Sequence, residues 1–424
     1  MSTLLAGHKR SRASEDASGE TSSTLRPVVN FYAGYTFNDK EHPPVLDRVP
    51  PNISAQRFFQ QYVAQRRPCV LTGLPDVNDD KPLQLTPDML RQVAGSSKVQ
   101  VEKRPDTQQL FGQNRTSQRQ VSMTVQDFCD CLKGPDRALY YLSTQQQPAA
   151  NIEARDEPFA APCRQLLDAG YITATLPVAA NLILSSCNLW MGAALASSSG
   201  LHHDYHDNLY LLLHGRKQFR LYAPCDAEAM HVYGSIQCVH ANGLISYQSN
   251  PCRADGSPLL EDDNDEDRHN DDGSDDDDDD SDEEEVVLGK GFDYQSDDSD
   301  DKGDATFGQD EVDDYDDLVA AEEEEDASDN GATNATRRPD HFSPIDPSSK
   351  QDVEQYPSYA KCRECIVELE AGQCLYIPAG WFHFVTSSCV QSTNPHMALN
   401  YWYHPPDRLD RCDNPYQGGF WKKK

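Results

Sequence analysis

The sequence predicts a mainly β protein whose main domain is an antiparallel sandwich or barrel, interrupted by a long acidic insertion. From residue 181 onward, apolar runs of four to seven residues alternate with turn residues, which favours antiparallel strands over alternating strands and helices. His214-Gly215, between two runs, indicates a tight turn. The runs are Asn181–Leu184, Cys187–Met191, Asn208–Leu213, Lys217–Tyr222, Cys365–Leu369, Gln373–Ile377, His383–Thr386 and Met397–Tyr403.

A region of helices and strands precedes these runs. Residues 1–30 are expected to be a disordered tail, and residues 31–140 a region that packs on the barrel. Ser54 is a suitable N-cap for a helix with an aromatic face, and Thr86-Pro87 is typical of the start of a second helix. Further strands are expected at 68–73, 99–102 and 138–142.

The main domain is expected to span residues 141–410, with a C-terminal tail at 411–424. Residues 253–338 interrupt it and have almost no apolar periodicity, so burial cannot offset the entropy lost on ordering them. The free-energy cost of closing a loop grows only logarithmically with its length, so a long disordered insertion is tolerated.

The insertion carries the net charge of the chain. The whole chain has 70 acidic and 37 basic residues. Of these, 36 acidic and three basic residues lie between 261 and 330, so this segment accounts for the whole net charge of −33. The remaining residues are neutral on balance and provide no basic surface for nucleic acid. A basic protein is the partner that this charge favours, although an insertion that only adds solubility is an equal alternative.

The location predicted from the sequence is intracellular, in the cytoplasm, the nucleus or both. No apolar run approaches the ~20 residues that span a membrane, and the N-terminus lacks a secretory signal. The 13 cysteines are an odd number without framework spacing, which indicates reduced thiols. A basic cluster at residues 8–12 is read as part of a solvated tail in preference to a nuclear address.

The segment from Ser199 to Asn208 contains the motif His202-x-Asp204. Residues i and i+2 of a strand point to the same face, so these two side chains supply two ligands of a 2-His-1-carboxylate triad for Fe(II). A third histidine must come from another strand, and His383, His396 and His404 are candidates. We choose His383, because a strand–turn–strand unit at 372–383 would aim it inward.

Lys217 shares one face of its predicted strand with Phe219 and Leu221. A buried ammonium is costly without an anion beside it. A ligand with an acid group at each end, such as 2-oxoglutarate, would satisfy both a metal and this lysine. The alternative is that Lys217 extends from the strand end into solvent.

Several motifs in order along the chain resemble those of the JmjC (cupin-like) 2-oxoglutarate oxygenases, and in particular the small JmjC lysyl hydroxylases. The resemblance runs from about residue 54 to residue 407, with the acidic insertion as its main departure. It implies a double-stranded β-helix, or jelly roll. The motifs are His202-x-Asp204, Asn208-Leu-Tyr, Gly215-Arg-Lys217, Leu375–His383 and Leu399–Tyr403.

The resemblance also implies roles for individual residues. His202, Asp204 and His383 correspond to the Fe(II) ligands, and Lys217 to the lysine that binds the distal carboxylate of 2-oxoglutarate. Four further residues correspond to positions around the co-substrate, with Tyr140 as the alternative for the first: Tyr141, Ser199, Asn208 and Asn400.

The implied activity consumes O₂ and 2-oxoglutarate, releases succinate and CO₂, and hydroxylates a side chain, with lysyl preferred, of an intracellular protein. Basic partners such as a GTPase, a ribosomal protein or a histone suit the acidic insertion, and the family raises a homodimer as a further expectation. The alternatives are a methyl-lysine demethylase and a non-catalytic cupin scaffold or acidic chaperone. No motif in the sequence independently supports a peptidase site.

Overall fold

The computed structural model describes residues 28–37, 43–75, 81–112, 119–144, 158–194, 197–259, 338–389 and 395–423. Its strands, numbered along the chain, are β1 Val29–Asn30, β2 Asp47–Val49, β3 Cys69–Leu71, β4 Lys98–Lys103, β5 Gln120–Thr124, β6 Tyr140–Ser143, β7 Leu184–Gly192, β8 Ser197–Ser198, β9 His202–His203, β10 Asp207–His214, β11 Arg216–Tyr222, β12 Ile236–Val239, β13 Ile245–Tyr247, β14 Cys365–Glu370, β15 Cys374–Ile377, β16 Phe382–Ser388 and β17 His396–Tyr403.

Short helices flank the strands. The Ser54 hydroxyl accepts from the Arg57 N–H and caps the first helix, as the sequence predicts, and Thr86 caps the third helix in the same way. The α-helices are α1 Ala55–Phe58, α2 Lys81–Gln84, α3 Pro87–Ala94, α4 Val125–Cys131, α5 Cys163–Asp168 and α6 Lys350–Gln355. A π-helical turn, Phe59–Val63, continues α1, and 3₁₀ turns lie at Arg137–Leu139, Pro177–Ala179, Pro224–Met230, Tyr359–Lys361 and Phe420–Lys423.

Two sheets face each other across an apolar core. In the described residues, the larger sheet has the order β2-β3-β15-β10-β17-β7-β6-β4-β5, and the smaller one has the order β14-β11-β16-β8, with β9 also paired to β16. Inward residues of both sheets share one cluster, for example Tyr210 and Leu212 of β10 with Phe219 and Leu221 of β11. This is a jelly roll, so the predicted mainly β fold is confirmed.

The N-terminal region continues the larger sheet. Strands β2 and β3 extend it at one edge, and β6, β4 and β5 extend it at the other. The first four helices and α5 cover the outer face of this sheet, where a second apolar cluster includes Phe58 of α1, Leu90 of α3, Phe128 of α4 and Leu166 of α5. The strands of residues 31–140 therefore extend the larger sheet, and the helices of this region pack on its outer face.

Most of the predicted strands are present, and the main difference concerns β7. The run expected at 187–191 lies within the longer strand β7, whereas of the run expected at 181–184 only Leu184 belongs to that strand. The tight turn at Gly215 joins β10 to β11 as predicted. Strand β5 and helix α4, which the sequence reading missed, meet at Thr124, whose hydroxyl accepts from the Asp127 N–H in a capping box.

Three expected boundaries differ from the structure. Residues 28–30, expected within the disordered N-terminal tail, contain strand β1, which pairs with β12 in parallel. Residues 253–259, expected within the disordered insertion, form a turn in which Asp255 and Ser257 are buried. Residues 411–423, expected to be a tail, pack on the domain because Tyr416 and Trp421 bury their rings in an apolar cluster. The rest of the acidic insertion, 260–337, lies outside the described residues.

The 13 cysteines all lie within the described residues, and each is a free thiol, in agreement with the expectation of reduced cysteines. No helix in the described part of the chain has the length and apolar content needed to cross a membrane.

Candidate metal and co-substrate site

Three side chains converge between the two sheets to form a candidate metal site. One ligand atom from each of His202, Asp204 and His383 lies within 4.8 Å of the others. The His202 Nε2 is 3.9 Å from Asp204 Oδ1, and the His383 Nε2 is 3.6 Å from Asp204 Oδ2. The third histidine is therefore the one chosen from the sequence, since neither His396 nor His404 belongs to this cluster.

The pairing of β9 with β16 brings the two histidines together. His202 stands directly opposite His383 in the register, and their ring centroids are 4.3 Å apart. The turn before β16 is fastened to the other ligand segment, because the Gly380 N–H donates to the Asp204 carbonyl at 2.9 Å.

Gly380 is required at this turn for two reasons. Its φ of +77° lies in the left-handed region, and a Cβ there would lie 1.8 Å from the Gly243 carbonyl oxygen. A side chain at this position would force the turn before β16 away from the loop at Gly243.

The two imidazole rings are oriented for metal binding. His202 Nδ1 lies 2.8 Å from the Gly200 carbonyl, and His383 Nδ1 lies 3.0 Å from the Trp381 carbonyl. With each Nδ1–H donating to its carbonyl, each Nε2 presents a lone pair toward Asp204. Burial, followed by the neighbouring His383, holds the pKa of His202 well below its usual range, so this ring is in the neutral form that binds metals.

A residue beyond the acidic insertion also contacts the site. The Phe342 ring stacks on His202 with centroids 4.7 Å apart and planes 8° apart, and the two residues form an isolated β-bridge. The chain thus returns from the insertion directly beside a metal-site imidazole. Phe342 was not predicted from the sequence, because 140 residues separate it from His202 and no local pattern indicates the contact.

A buried ion pair fixes the segment after Asp204. The Arg66 guanidinium donates two hydrogen bonds to Asp207, at 2.8 and 2.5 Å, and both side chains are fully buried. The Tyr376 hydroxyl and the Ala379 N–H also donate to Asp207, at 2.7 and 2.9 Å. The Trp381 indole donates to the Arg66 carbonyl at 3.1 Å, so this network ties both ligand-bearing segments to the N-terminal region.

The Lys217 ammonium lies at the other end of the space between the sheets. Only 3% of the residue is exposed, and its Nζ donates to the Tyr141 hydroxyl at 3.3 Å. The ammonium also lies 5.7 Å from the ring centroids of Tyr141 and Tyr210. Burial lowers the pKa of Lys217 to about 7. Of the two tyrosines that the sequence left open, Tyr141 contacts Lys217, whereas the Tyr140 ring lies beside Lys103.

Register places Lys217 and one of the candidate metal ligands, His383, on one strand pair. In β11 and β16, His383 faces Leu221 and Ser387 faces Lys217, a separation of four residues or roughly 13 Å along the strands. Two buried atoms of the opposing sheet, Asn208 Oδ1 and the Tyr210 hydroxyl, have no hydrogen-bond partner in the described structure.

The other residues chosen from the sequence occupy different environments. Asn208 donates to Asp204 Oδ2 at 3.4 Å, so it contacts the metal site directly. Asn400, opposite Tyr210 in the register, accepts from the Trp190 indole at 2.8 Å. The Ser199 hydroxyl accepts from the Val385 N–H at 3.3 Å and is therefore bonded to β16 and not to Lys217.

The two histidines next to the motif have separate contacts. His203 is buried beyond the triad, where its Nε2 lies 2.7 Å from the Tyr247 hydroxyl, and burial lowers its pKa to about 3. His206 stacks on Trp402, with ring centroids 5.4 Å apart. Neither belongs to the metal cluster among the described residues.

Comparison with known proteins gives one family and several relatives. The family model of the cupin-like domain matches residues 55–409. JmjC domain-containing protein 4 of Schizosaccharomyces pombe is 28% identical over 93% of this chain and 92% of its own length.

Two other relatives match over short segments only. A Homo sapiens protein named as a bifunctional peptidase and (3S)-lysyl hydroxylase is 38% identical over 60 residues, which is 14% of this chain and 17% of that protein. A JmjC domain-containing protein of Acanthamoeba polyphaga mimivirus is 35% identical over 63 residues, 15% of this chain and 9% of its own length.

Proposed function

The chain belongs to the cupin-like domain family as a JmjC-domain protein, and from this membership we propose that it is an Fe(II)- and 2-oxoglutarate-dependent oxygenase. Its reaction would hydroxylate a side chain, with lysyl as the first choice, of another protein. The observation that carries this proposal is the cluster of His202, Asp204 and His383 at one end of a buried space that has Lys217 at the other.

The donor set fits a ferrous ion. Two imidazoles and one carboxylate on one side of a metal leave open positions for ligands on its other side. The backbone carbonyls behind His202 and His383 hold both rings with Nε2 directed toward Asp204. Asn208 donates to Asp204 Oδ2, which supports the carboxylate in its ligating orientation.

The opposite end of the space fits the distal carboxylate of 2-oxoglutarate. A buried ammonium is stabilised by an anion, and here the Lys217 Nζ has the Tyr141 hydroxyl as its hydrogen-bond partner among the described residues. Both groups could donate to one carboxylate. The unpartnered atoms of Asn208 and Tyr210 line the space between the two ends and would gain a partner from a polar ligand.

When bound, iron and 2-oxoglutarate supply the oxidising chemistry, which releases succinate and CO₂. The role of the protein is to position the reactants and limit their contact with water. Lys217 and Tyr141 fix one end of the co-substrate, the triad fixes the metal, and the apolar cluster between the sheets excludes solvent around them.

We propose a basic protein as the substrate. Support comes from the lysyl hydroxylase activity named for the human relative and from the acidic segment, which returns to the fold beside His202 through Phe342. An acidic segment tethered there would raise the local concentration of a lysine-rich partner.

The test is succinate release from 2-oxoglutarate by the purified full-length chain with Fe(II) and O₂, in the presence of lysine-rich peptides. We expect wild-type turnover and none with His202→Ala, while both proteins keep the same thermal midpoint. A product peptide that gains one oxygen supports hydroxylation, and one that loses a methyl group supports demethylation instead. Equal turnover by both proteins would contradict the role of the triad, and no turnover by either would support a non-catalytic scaffold.

A further inference from the structure

His396 is a buried histidine that the site described above leaves without a role. It lies at the start of β17, none of it is exposed, and its Nε2 has no hydrogen-bond partner in the described structure. A buried ring nitrogen without a partner is costly, so its retention in the interior calls for an explanation. The sequence analysis considered His396 as a third metal ligand, and the structure places it outside that cluster.

The surroundings of His396 are those of the co-substrate end. Its ring centroid is 5.7 Å from that of Tyr141, whose hydroxyl accepts from Lys217. Burial and then the nearby Lys217 ammonium hold the pKa of His396 well below its usual range, so the ring is neutral.

Gly192, directly opposite His396 in the register, leaves the room for this arrangement. A Cβ at Gly192 would lie 3.2 Å from His396 Nε2 and 2.9 Å from the Tyr141 ring. The missing side chain therefore lets His396 and Tyr141 lie together at this end of the space, with Nε2 on the side that faces Gly192.

The other ring nitrogen has a different neighbour. His396 Nδ1 lies 3.8 Å from the Cys389 thiol. A neutral imidazole has one donor and one acceptor nitrogen. A carboxylate near Lys217 would favour the tautomer with the proton on Nε2, which leaves Nδ1 as the acceptor facing the thiol.

We propose that His396 is a specificity-determining residue that donates a hydrogen bond from Nε2 to the distal carboxylate of the co-substrate, beside Lys217 and Tyr141. This inference rests on the proposed function and extends it by one residue. A neutral donor next to an ammonium adds directional binding without further positive charge. The end occupied by Lys217 would thus select a dicarboxylic 2-oxo acid over a monocarboxylic one.

The test compares two ligands in the full-length protein loaded with Mn(II), with binding measured by calorimetry. The ligands are 2-oxoglutarate and 2-oxopentanoate, which has the same chain length and no distal carboxylate. The variants are His396→Leu, which removes the donor, and His396→Gln, which retains one. His404→Leu serves as the matched control, because His404 is also a buried histidine just after β17.

We expect His396→Leu to weaken 2-oxoglutarate binding by about tenfold to a hundredfold, the range for a hydrogen bond to a charged group. Binding of 2-oxopentanoate and of Mn(II) should stay within about twofold, since neither engages Nε2. His396→Gln should recover part of the loss, and His404→Leu should bind as wild type does.

Three outcomes would overturn the assignment or its premise. Equal weakening of both ligands by His396→Leu would mean a packing role only. Unchanged 2-oxoglutarate binding in His396→Leu, with a clear loss in Lys217→Met, would exclude His396 and leave the proposed function standing. Unchanged binding in both variants would contradict the co-substrate site itself.

Discussion

The ionisation of Lys217 should be visible in ligand binding. Burial lowers its pKa to about 7, and a bound carboxylate favours the ammonium form, so above that pH binding requires the uptake of a proton. The affinity for 2-oxoglutarate should therefore be greatest below about pH 7 and fall about tenfold per pH unit above it. Calorimetric titration between about pH 6 and about pH 9 measures this.

The matched variant is Lys217→Arg, because a guanidinium keeps its charge over this whole range. The affinity of this variant for 2-oxoglutarate should no longer show the part of the pH dependence that comes from Lys217, even if the affinity itself differs from that of the wild type. A wild-type affinity that does not change with pH, or a slope shared equally by the arginine variant, would contradict the assignment.

The buried ion pair of Arg66 and Asp207 should control both stability and metal affinity. Arg66→Met leaves the Asp207 carboxylate buried without its cation, which costs about 3–5 kcal/mol of unfolding free energy. Because Asp207 also binds the turn before His383, metal binding should weaken as well. Denaturant unfolding and Co(II) titration followed by its visible spectrum measure the two effects.

The double variant Arg66→Met, Asp207→Leu separates these roles, since it removes both charges together. If the double variant regained stability but not metal affinity, the pair would serve to position the turn before His383. If the Arg66 variant lost stability and bound Co(II) normally, the pair would serve the fold alone.

At the level of structural elements, the turn between β15 and β16 joins the metal ligands. Gly380→Ala would place a methyl group 1.8 Å from the Gly243 carbonyl in a backbone with φ +77°. Left-handed φ alone costs about 1–2 kcal/mol for a residue with a Cβ, and the clash adds to it. We expect a loss above about 2 kcal/mol in denaturant unfolding, together with weaker Co(II) binding.

Gly170→Ala is the control for this turn. Gly170 has a similar φ of +70°, but a Cβ there would meet no atom within 4 Å. Its alanine variant should therefore show the conformational cost without the clash and keep full metal affinity. If Gly380→Ala and Gly170→Ala lost equal amounts of stability and of Co(II) affinity, the close contact between Gly380 and Gly243 would contribute nothing.

At the level of the whole molecule, the acidic segment is expected to capture the substrate. We would replace residues 260–337 with a Gly/Ser linker of about 20 residues. Since each doubling of loop length costs only about 0.6 kcal/mol, thermal stability and 2-oxoglutarate affinity should change little. The KM for a lysine-rich protein should rise and lose much of its dependence on salt.

Turnover assays at low and high salt, with a neutral peptide as a reference, make this comparison. The neutral peptide should be hydroxylated equally well by both proteins. An unchanged KM for the basic substrate would reduce the segment to a tolerated insertion, the other alternative that its charge allows.

Local sequence patterns predicted the strands well where apolar residues and turns alternate. The runs at 208–213 and 217–222 became β10 and β11 with the expected turn at Gly215. The alternation of apolar runs and turns did not predict segments that are only partly buried or that pack against distant parts of the chain. Strand β5 has no fully buried residue, since four of its residues are half-buried and Ser122 is exposed. Tyr416 and Trp421 pack in a cluster with residues far away in the sequence, such as Leu244.

The sequence by itself determined an antiparallel sandwich or barrel, the His202-x-Asp204 pair and the inward face of Lys217, because each depends on the two-residue period of a strand or on the alternation of apolar runs with turns. The jelly roll followed from the resemblance to the JmjC family. Only the tertiary structure decided that Arg66 pairs with Asp207, and that Phe342 and His396 lie at opposite ends of the site. These contacts join segments that are more than a hundred residues apart, and strand register, which brings them together, is fixed by packing of the entire sheet.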